Sequence, residues 1–359
     1  MAIYLIYFSL IIIIPFFCSA INKDRKKAQN IALKILMGLM YLLLALKAET
    51  VGSDISGYKE WYETTKDVPF SDFSYCYMED GYLLLMKIFN VLDFSFQGFA
   101  AVLYAIIIIP LYALIKRYSP DVMISVMILF CLDFFVFACS GLRQAVAMSL
   151  CVWAFLVLTS NNGKKNFLLS IVIVVAASFV HKSAILFLPA LMISYFRYKA
   201  VTYFVYIMAI AVFLLNKNLL ININEQYELS HYEFDDRLTL GLMFVFDVIM
   251  FLFFLLSGAI NRSRGFENNG NKVLTWQIGN VLFYGLILMV GFNGAILLRS
   301  STYELLFLSI LMPMALNYWP NSARQFISFV YVAVLFYCFY FLILKPSTLL
   351  IVPYKFFFQ

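Results

Sequence analysis

Apolar residues in this chain come in unbroken stretches long enough to cross a membrane, and few folds can use them. A hydrocarbon core about 30 Å thick takes roughly 20 helical residues to span. Stretches such as 122–139 and 201–215 lack the in–out alternation of a membrane barrel strand. A helix satisfies its own backbone hydrogen bonds, which leaves it as the structure that can carry such stretches through lipid. Only 13% of the 359 residues are charged, against about a quarter in a soluble domain. That is too little charge to cover a water-facing surface. The expected fold is an all-α polytopic membrane protein, with 1–359 forming a single integral membrane domain.

Hydropathy places about 12 transmembrane helices, near 1–20, 31–48, 98–115, 121–139, 143–158, 167–181, 184–196, 201–219, 238–260, 274–292, 300–317 and 325–344. The pair 167–181 and 184–196 is short for two crossings and suits half-helices or a broken hairpin. Segment 81–92 is too short to cross and predicts an interfacial or re-entrant helix. Segment 1–20 lacks a positive leader, and its basic cluster at 23–27 follows it, so it reads as an uncleaved span rather than a signal peptide.

Loop charge gives the spans a direction. Loops 22–30, 116–121, 159–166, 197–199, 261–273 and 318–324 carry about 14 Lys or Arg, against about 9 in the alternate set. The richer set is expected on the cytoplasmic side. With twelve spans both termini then face outward, as do two long loops, 49–80 and 216–237.

Several chemistries are disfavoured. Five of the six cysteines lie inside apolar runs, and none has ligand or redox spacing. The chain has two histidines, few for a transition-metal site. It has no phosphate loop and no dinucleotide-binding glycine pattern. No metal, no cofactor and no nucleic-acid partner is expected.

The unusual polar residues fall on the expected outer side. Asp54 and Tyr58 are one helical turn apart. Glu79-Asp80-Gly81-Tyr82 looks like a helix start, with acids suited to the N-terminal dipole. Arg143 and Gln144 open a span, and Arg299 opens another that holds Tyr303. His181 interrupts an apolar stretch. Each has a structural alternative: Arg143 and Arg299 as snorkelling cations, His181 as a capping or packing residue, Asp54 as a helix cap. The functional alternatives are an anion site at Arg143 and Arg299 and a general base at His181. Trp61, Tyr62, Tyr75 and Tyr77 suit an interfacial belt or stacking on sugar rings. Asp133, Asp247 and Glu304 lie within spans, where buried acids are candidates for a transport path; Glu304 is also close in sequence to Arg299.

Five segments together resemble the EpsG/Wzy-like family of bacterial polysaccharide polymerases. They are Ser53-Asp54-Ile55-Ser56-Gly57-Tyr58, Glu79-Asp80-Gly81-Tyr82, Leu142-Arg143-Gln144-Ala145-Val146-Ala147, Phe179-Val180-His181-Lys182-Ser183-Ala184 and Arg299-Ser300-Ser301-Thr302-Tyr303. They occur in the family's order. Asp80 stands where the family has proline.

The resemblance implies a GT-C-like architecture and a metal-independent glycosyltransferase. Such an enzyme acts at the outer face of the bacterial cytoplasmic (inner) membrane. It moves a growing glycan from undecaprenyl diphosphate to an incoming lipid-linked oligosaccharide repeat. Its partners would be that lipid-linked oligosaccharide, membrane lipids and a chain-length regulator protein. Under this reading Asp54 and then His181 are the candidate catalytic bases. Arg143, Gln144, Arg299, Tyr303, Tyr58, Glu79 and Tyr82 are the candidate substrate-binding residues. The competing readings are a transporter or flippase for a glycolipid or small solute, a membrane acyltransferase using His181, and a glycan ligase.

Overall fold

A computed structural model describes residues 1–160, 163–196, 199–215, 245, 248–258, 278–287, 301–344 and 350–359. Among them the helices are α1 (Ala2–Ile21), α2 (Arg25–Ala45), α3 (Ile55–Thr64), α4 (Asp80–Val91), α5 (Phe96–Tyr118), α6 (Val122–Cys131), α7 (Asp133–Ser140), α8 (Leu142–Ser160), α9 (Lys164–Val180), α10 (Leu188–Phe196), α11 (Lys199–Leu215), α12 (Val248–Gly258), α13 (Ile278–Ile287), α14 (Ser301–Leu316) and α15 (Asn321–Phe339). The described residues contain no strand, only an isolated bridge between Lys47 and Phe356.

The chain is thus an all-helical membrane protein. Among the described residues, α1, α2, α5, α8 and α15 are each long and apolar enough to cross a bilayer, and the bent pair α6–α7 is a sixth candidate. At 1.5 Å per residue these helices match the thickness of the hydrocarbon core. The loop at 216–237, Asp247 and Arg299 lie outside the described residues, as does the side chain of Asp133.

Local chemistry explains several helix starts. Asp24 accepts from the backbone N–H of Lys26 and Lys27 to cap α2, Ser95 accepts from Gly98 to cap α5, and Asp121 accepts from Ile124 to cap α6. Each satisfies N–H groups that a helix leaves open at its first turn. The core is built around α5, which packs against α2 and α8, while α8 packs closely along α9. Tyr4, Phe99, Phe130, Phe155 and Phe307 are fully buried within it.

Two expected elements differ in form, and a third is broken as the sequence suggested. Segment 121–139 is not one straight span: α6 and α7 meet at a 47° bend. Leu132 takes extended backbone (φ −98°, ψ −172°), which interrupts the ladder although no proline or glycine is present. Segment 167–196 is broken as anticipated: His181 is extended (φ −152°, ψ 119°), a 3₁₀ turn follows over Lys182–Phe187, and α10 completes it. The loop 49–80, expected on the outer side, is partly helical, since it contains α3 and a short 3₁₀ turn at Thr65–Asp67. It is folded around Lys87 of α4, a buried lysine whose Nζ donates to the carbonyls of Pro69 and Asp72 at 2.5 Å. The ring of Phe73 lies 4.9 Å from the same ammonium.

Residues 350–359 run back across the same pole of the molecule as a strap. Ala48 N–H donates to Lys355 O (2.8 Å), Phe357 N–H to Leu46 O (3.0 Å) and Gly52 N–H to Leu350 O (3.1 Å). Tyr4 and Tyr354 hydroxyls donate to Ile351 O and Leu43 O.

Candidate active site

The site begins with a glycine. Gly52 has φ +104°, a conformation L side chains rarely adopt, and a Cβ there would stand 2.0 Å from Cys139 O. The turn therefore lies directly on the C-terminal end of α7. This contact brings Ser53 to Ser140, with hydroxyl oxygens 2.6 Å apart, while Ser53 also donates to Asp54 Oδ1 at 2.8 Å. Asp54 occupies the N-cap position of α3, yet its side chain accepts no capping bond from that helix. The capping role anticipated for it is not the one its side chain plays.

A second close approach sets Glu79. A Cβ on Gly81 would come within 2.6 Å of Phe179 O, so only glycine lets the start of α4 rest on the end of α9. Glu79 then faces the break after α9. Its Oε1 accepts from the Lys182 backbone N–H (3.2 Å) and stands 3.2 Å from His181 Nδ1, in ion-pair range although not in line for a hydrogen bond. Its Oε2 accepts from Arg143 Nη1 at 2.5 Å. The three side chains are partly enclosed, at 9% exposed for Glu79, 16% for Arg143 and 26% for His181.

Arg143 is held on its faces as well as its edge. Its guanidinium carbon lies 5.6 Å from the Tyr58 ring and 5.7 Å from the Tyr77 ring. Nε makes a long contact of 3.4 Å with Tyr58 Oη. Trp61 packs in turn against Tyr75 and Tyr77.

The electrostatics follow from these contacts. Burial acts to raise the Glu79 carboxyl, but the His181 imidazole and the Arg143 guanidinium outweigh it and hold the group at about 2, from 4.5. Burial pushes the Tyr58 phenol up to about 12 despite the opposing charge of Arg143. Tyr82 is likewise raised well above its ordinary value by burial. In this arrangement Glu79 is an anion and both tyrosines are neutral at ordinary pH.

The remaining candidates lie beneath or beside this group. Tyr82 is fully buried, with its ring 5.8 Å from that of Tyr58 and its hydroxyl without a hydrogen-bond partner. Named among the candidate substrate-binding residues, it packs here behind Tyr58. Gln144 is buried and donates to Thr302 Oγ1 at 3.4 Å. Tyr303, also buried, has its hydroxyl 3.0 Å from that of Ser183. These two bonds tie the first turn of α14 to α8 and to the turn after His181. Arg299 lies outside the described residues.

Glu304 belongs to a different environment. It is fully buried on α14, and neither carboxylate oxygen has a hydrogen-bond partner. A Cβ on Gly285 would stand 2.6 Å from Glu304 Cβ, which marks a close crossing of α13 and α14.

Sequence reasoning missed the Ser53–Ser140 contact, the Tyr77 ring on Arg143 and the part taken by the Lys182 backbone. The first two had faint signals, serines just before Asp54 and just before Gly141, and an aromatic run before Glu79. A backbone N–H gives none.

Comparison with known proteins completes this description. Residues 30–356 match the family model described as EpsG family. No curated protein and no solved structure matches the chain.

Proposed function

Because the chain belongs to the EpsG family, we propose that it is a polymerase of undecaprenyl-diphosphate-linked oligosaccharide repeats, working at the outer face of the bacterial cytoplasmic membrane. Membership in the family makes it a polysaccharide-polymerase-like membrane protein. The observation that supports the proposal is the convergence on Glu79: Arg143 and the His181-Lys182 pair come from segments far apart in sequence and meet on one carboxylate.

In this reading the full chain has twelve spans in a GT-C-like arrangement, with the Glu79 cluster on the outer side. Arg143 is the diphosphate ligand. Glu79 takes one edge of its guanidinium, and the tyrosine rings fix its plane, which leaves Nη2 directed to an incoming phosphate oxygen. As the anomeric carbon–oxygen bond breaks, its electron pair goes to the diphosphate, and a fixed guanidinium is suited to that growing charge. Arg299 would supply a second cation.

The acceptor hydroxyl must lose a proton as its oxygen bonds to the anomeric carbon. His181 stands with Nδ1 3.2 Å from Glu79 Oε1, which leaves Nε2 as the atom to receive that proton. That arrangement favours His181 over Asp54, which is bonded to Ser53 and placed to orient the acceptor through α3. A chain-length regulator protein is the partner that polymer-length control would require.

The test is the surface glycan of a deletion strain complemented with variants. Arg143→Ala, Glu79→Gln and His181→Ala should each leave single repeat units in place of a ladder. A normal ladder from Arg143→Ala and Arg143→Lys would overturn the assignment. Glu304, buried without a partner, is the feature that favours the transporter reading instead. That reading predicts proton-coupled uptake lost in Glu304→Gln with an intact ladder.

A further inference from the structure

Helices α2 and α5 pack together, yet one side of their seam is open. The opening is a groove of about 320 Å³ whose walls include Lys34, Gly38 and Tyr41 of α2 and Ile109 and Tyr112 of α5. Its cause is local. Gly38 has no side chain, and a Cβ built there meets nothing within 4 Å. Pro110 stands in the facing stretch of α5, where it removes a ladder hydrogen bond. Ile109 is 56% exposed along the same side. Both walls belong to helices of membrane-crossing length, so the groove opens toward lipid.

One wall carries a charge. Lys34 lies within a membrane-crossing helix, is exposed, and has no carboxylate partner among the described residues. Lysines in such positions extend toward the interface and need a counter-charge there. Lys116 flanks the same end of the groove, with its ammonium 5.6 Å from the ring of Tyr112. Both lysines lie toward the Arg25 end of α2 and the Tyr118 end of α5. The Glu79 cluster and the strap lie at the opposite end of α2, beyond Ala45.

We propose that this groove is a binding site for one anionic phospholipid, with an acyl chain lying over Gly38 and the phosphate held by Lys34 and Lys116. The apolar walls suit an acyl chain, and two lysines with no carboxylate partner among the described residues suit an anionic rather than a zwitterionic headgroup. The substrate's polyprenyl diphosphate is the less fitting occupant, because its headgroup belongs with Arg143 at the other pole.

The experiment uses the full chain, purified in detergent and stripped of lipid, titrated with phosphatidylglycerol or phosphatidylcholine. Bound lipid is counted by native mass spectrometry, and melting is followed in parallel. Phosphatidylglycerol should bind at one saturable site and raise the melting temperature, and phosphatidylcholine should do neither. Lys34→Gln and Lys116→Gln should each weaken binding roughly fivefold. Gly38→Phe should abolish it while leaving lipid-free melting unchanged, because the space it fills is empty. Equal binding of the two lipids, or undiminished binding in Lys34→Gln and Gly38→Phe, overturns the proposal. So does displacement of bound phosphatidylglycerol by a polyprenyl diphosphate, which would make the groove a substrate site. None of these readouts depends on polymer formation.

Discussion

Helix α8 has an arginine at each end, and the two are held in opposite ways. Arg117, from the last turn of α5, donates to the carbonyls of Leu156 (3.2 Å) and Thr159 (2.8 Å) at the end of α8. The Thr159 carbonyl lies in the last turn of α8, where carbonyls lack partners within their own helix, and the helix dipole favours a cation there. Tyr118 adds a bond to Thr159 Oγ1 at 2.6 Å. Folding alone accounts for Arg117. Arg143 lies in the first turn of α8, where the dipole opposes a positive charge. It is kept there by a carboxylate from another segment and by two tyrosine rings. Where a local rule is broken and the surroundings have been arranged to sustain the break, function is the usual reason.

The sharpest way to break this contrast is to remove each arginine in turn. Arg143→Ala and Arg143→Lys should lower the polymerisation rate by about 10²–10³, the loss typical of one fixed transition-state donor. Arg117→Ala should leave glycan chain length unchanged. Equal shortening in both variants, read on the same gel, would erase the distinction.

Acid should also tell the two ends apart. The Glu79 carboxyl is lowered from 4.5 to about 2, so the stability it contributes is complete above 4.5 and disappears as pH falls toward 2. The difference amounts to about 3 kcal/mol. Melting of the detergent-solubilised chain should fall over that window, and Glu79→Gln should flatten that part of the curve. A Glu79→Gln profile parallel to the parent's would show that the anion is not sustained by Arg143 and His181.

Arg117→Ala should appear instead in the melting temperature at neutral pH, through a loss of about 1–2 kcal/mol for two charge-assisted bonds to carbonyls. The smallest effect belongs to an ion pair with no such setting. Lys59 and Glu49 are 2.5 Å apart but each is 43% exposed. Lys59→Ala should change stability by less than about 0.5 kcal/mol. A larger shift would mean that mere proximity of charges, rather than enclosure, governs this pole.

Much of this was legible in the sequence because it depends on one element at a time. The membrane-length helices, the short amphipathic α4, the break at His181 and the start near Glu79 all follow from runs, periods and cap residues. Contacts among elements were not legible. The sequence shows that Glu79, Arg143 and His181 are unusual, but it cannot show that one carboxylate meets both Arg143 and His181, since this depends on how α4, α8 and α9 pack. The bend at Leu132 carries no proline or glycine to announce it. That Tyr82 is buried, with its ring against that of Tyr58, was equally beyond the sequence, since it depends on how α3 and α4 pack. The groove over Gly38 was equally hidden, since a lone glycine in an apolar run does not reveal what lies across from it.

The strap formed by residues 350–359 has a consequence in time. The Asp54 loop hangs on bonds to Leu350 and Lys355, and the end of α2 is tied by Tyr354, which is 311 residues from Leu43 in sequence. At ribosomal speeds of 5–20 residues per second, the loop waits on the order of half a minute for the residues that hold it. By the end of that interval every motif segment has been made, but the Gly52 turn still lacks its bond to Leu350. A chain interrupted just before residue 350 would carry the whole set of site residues and lack these bonds.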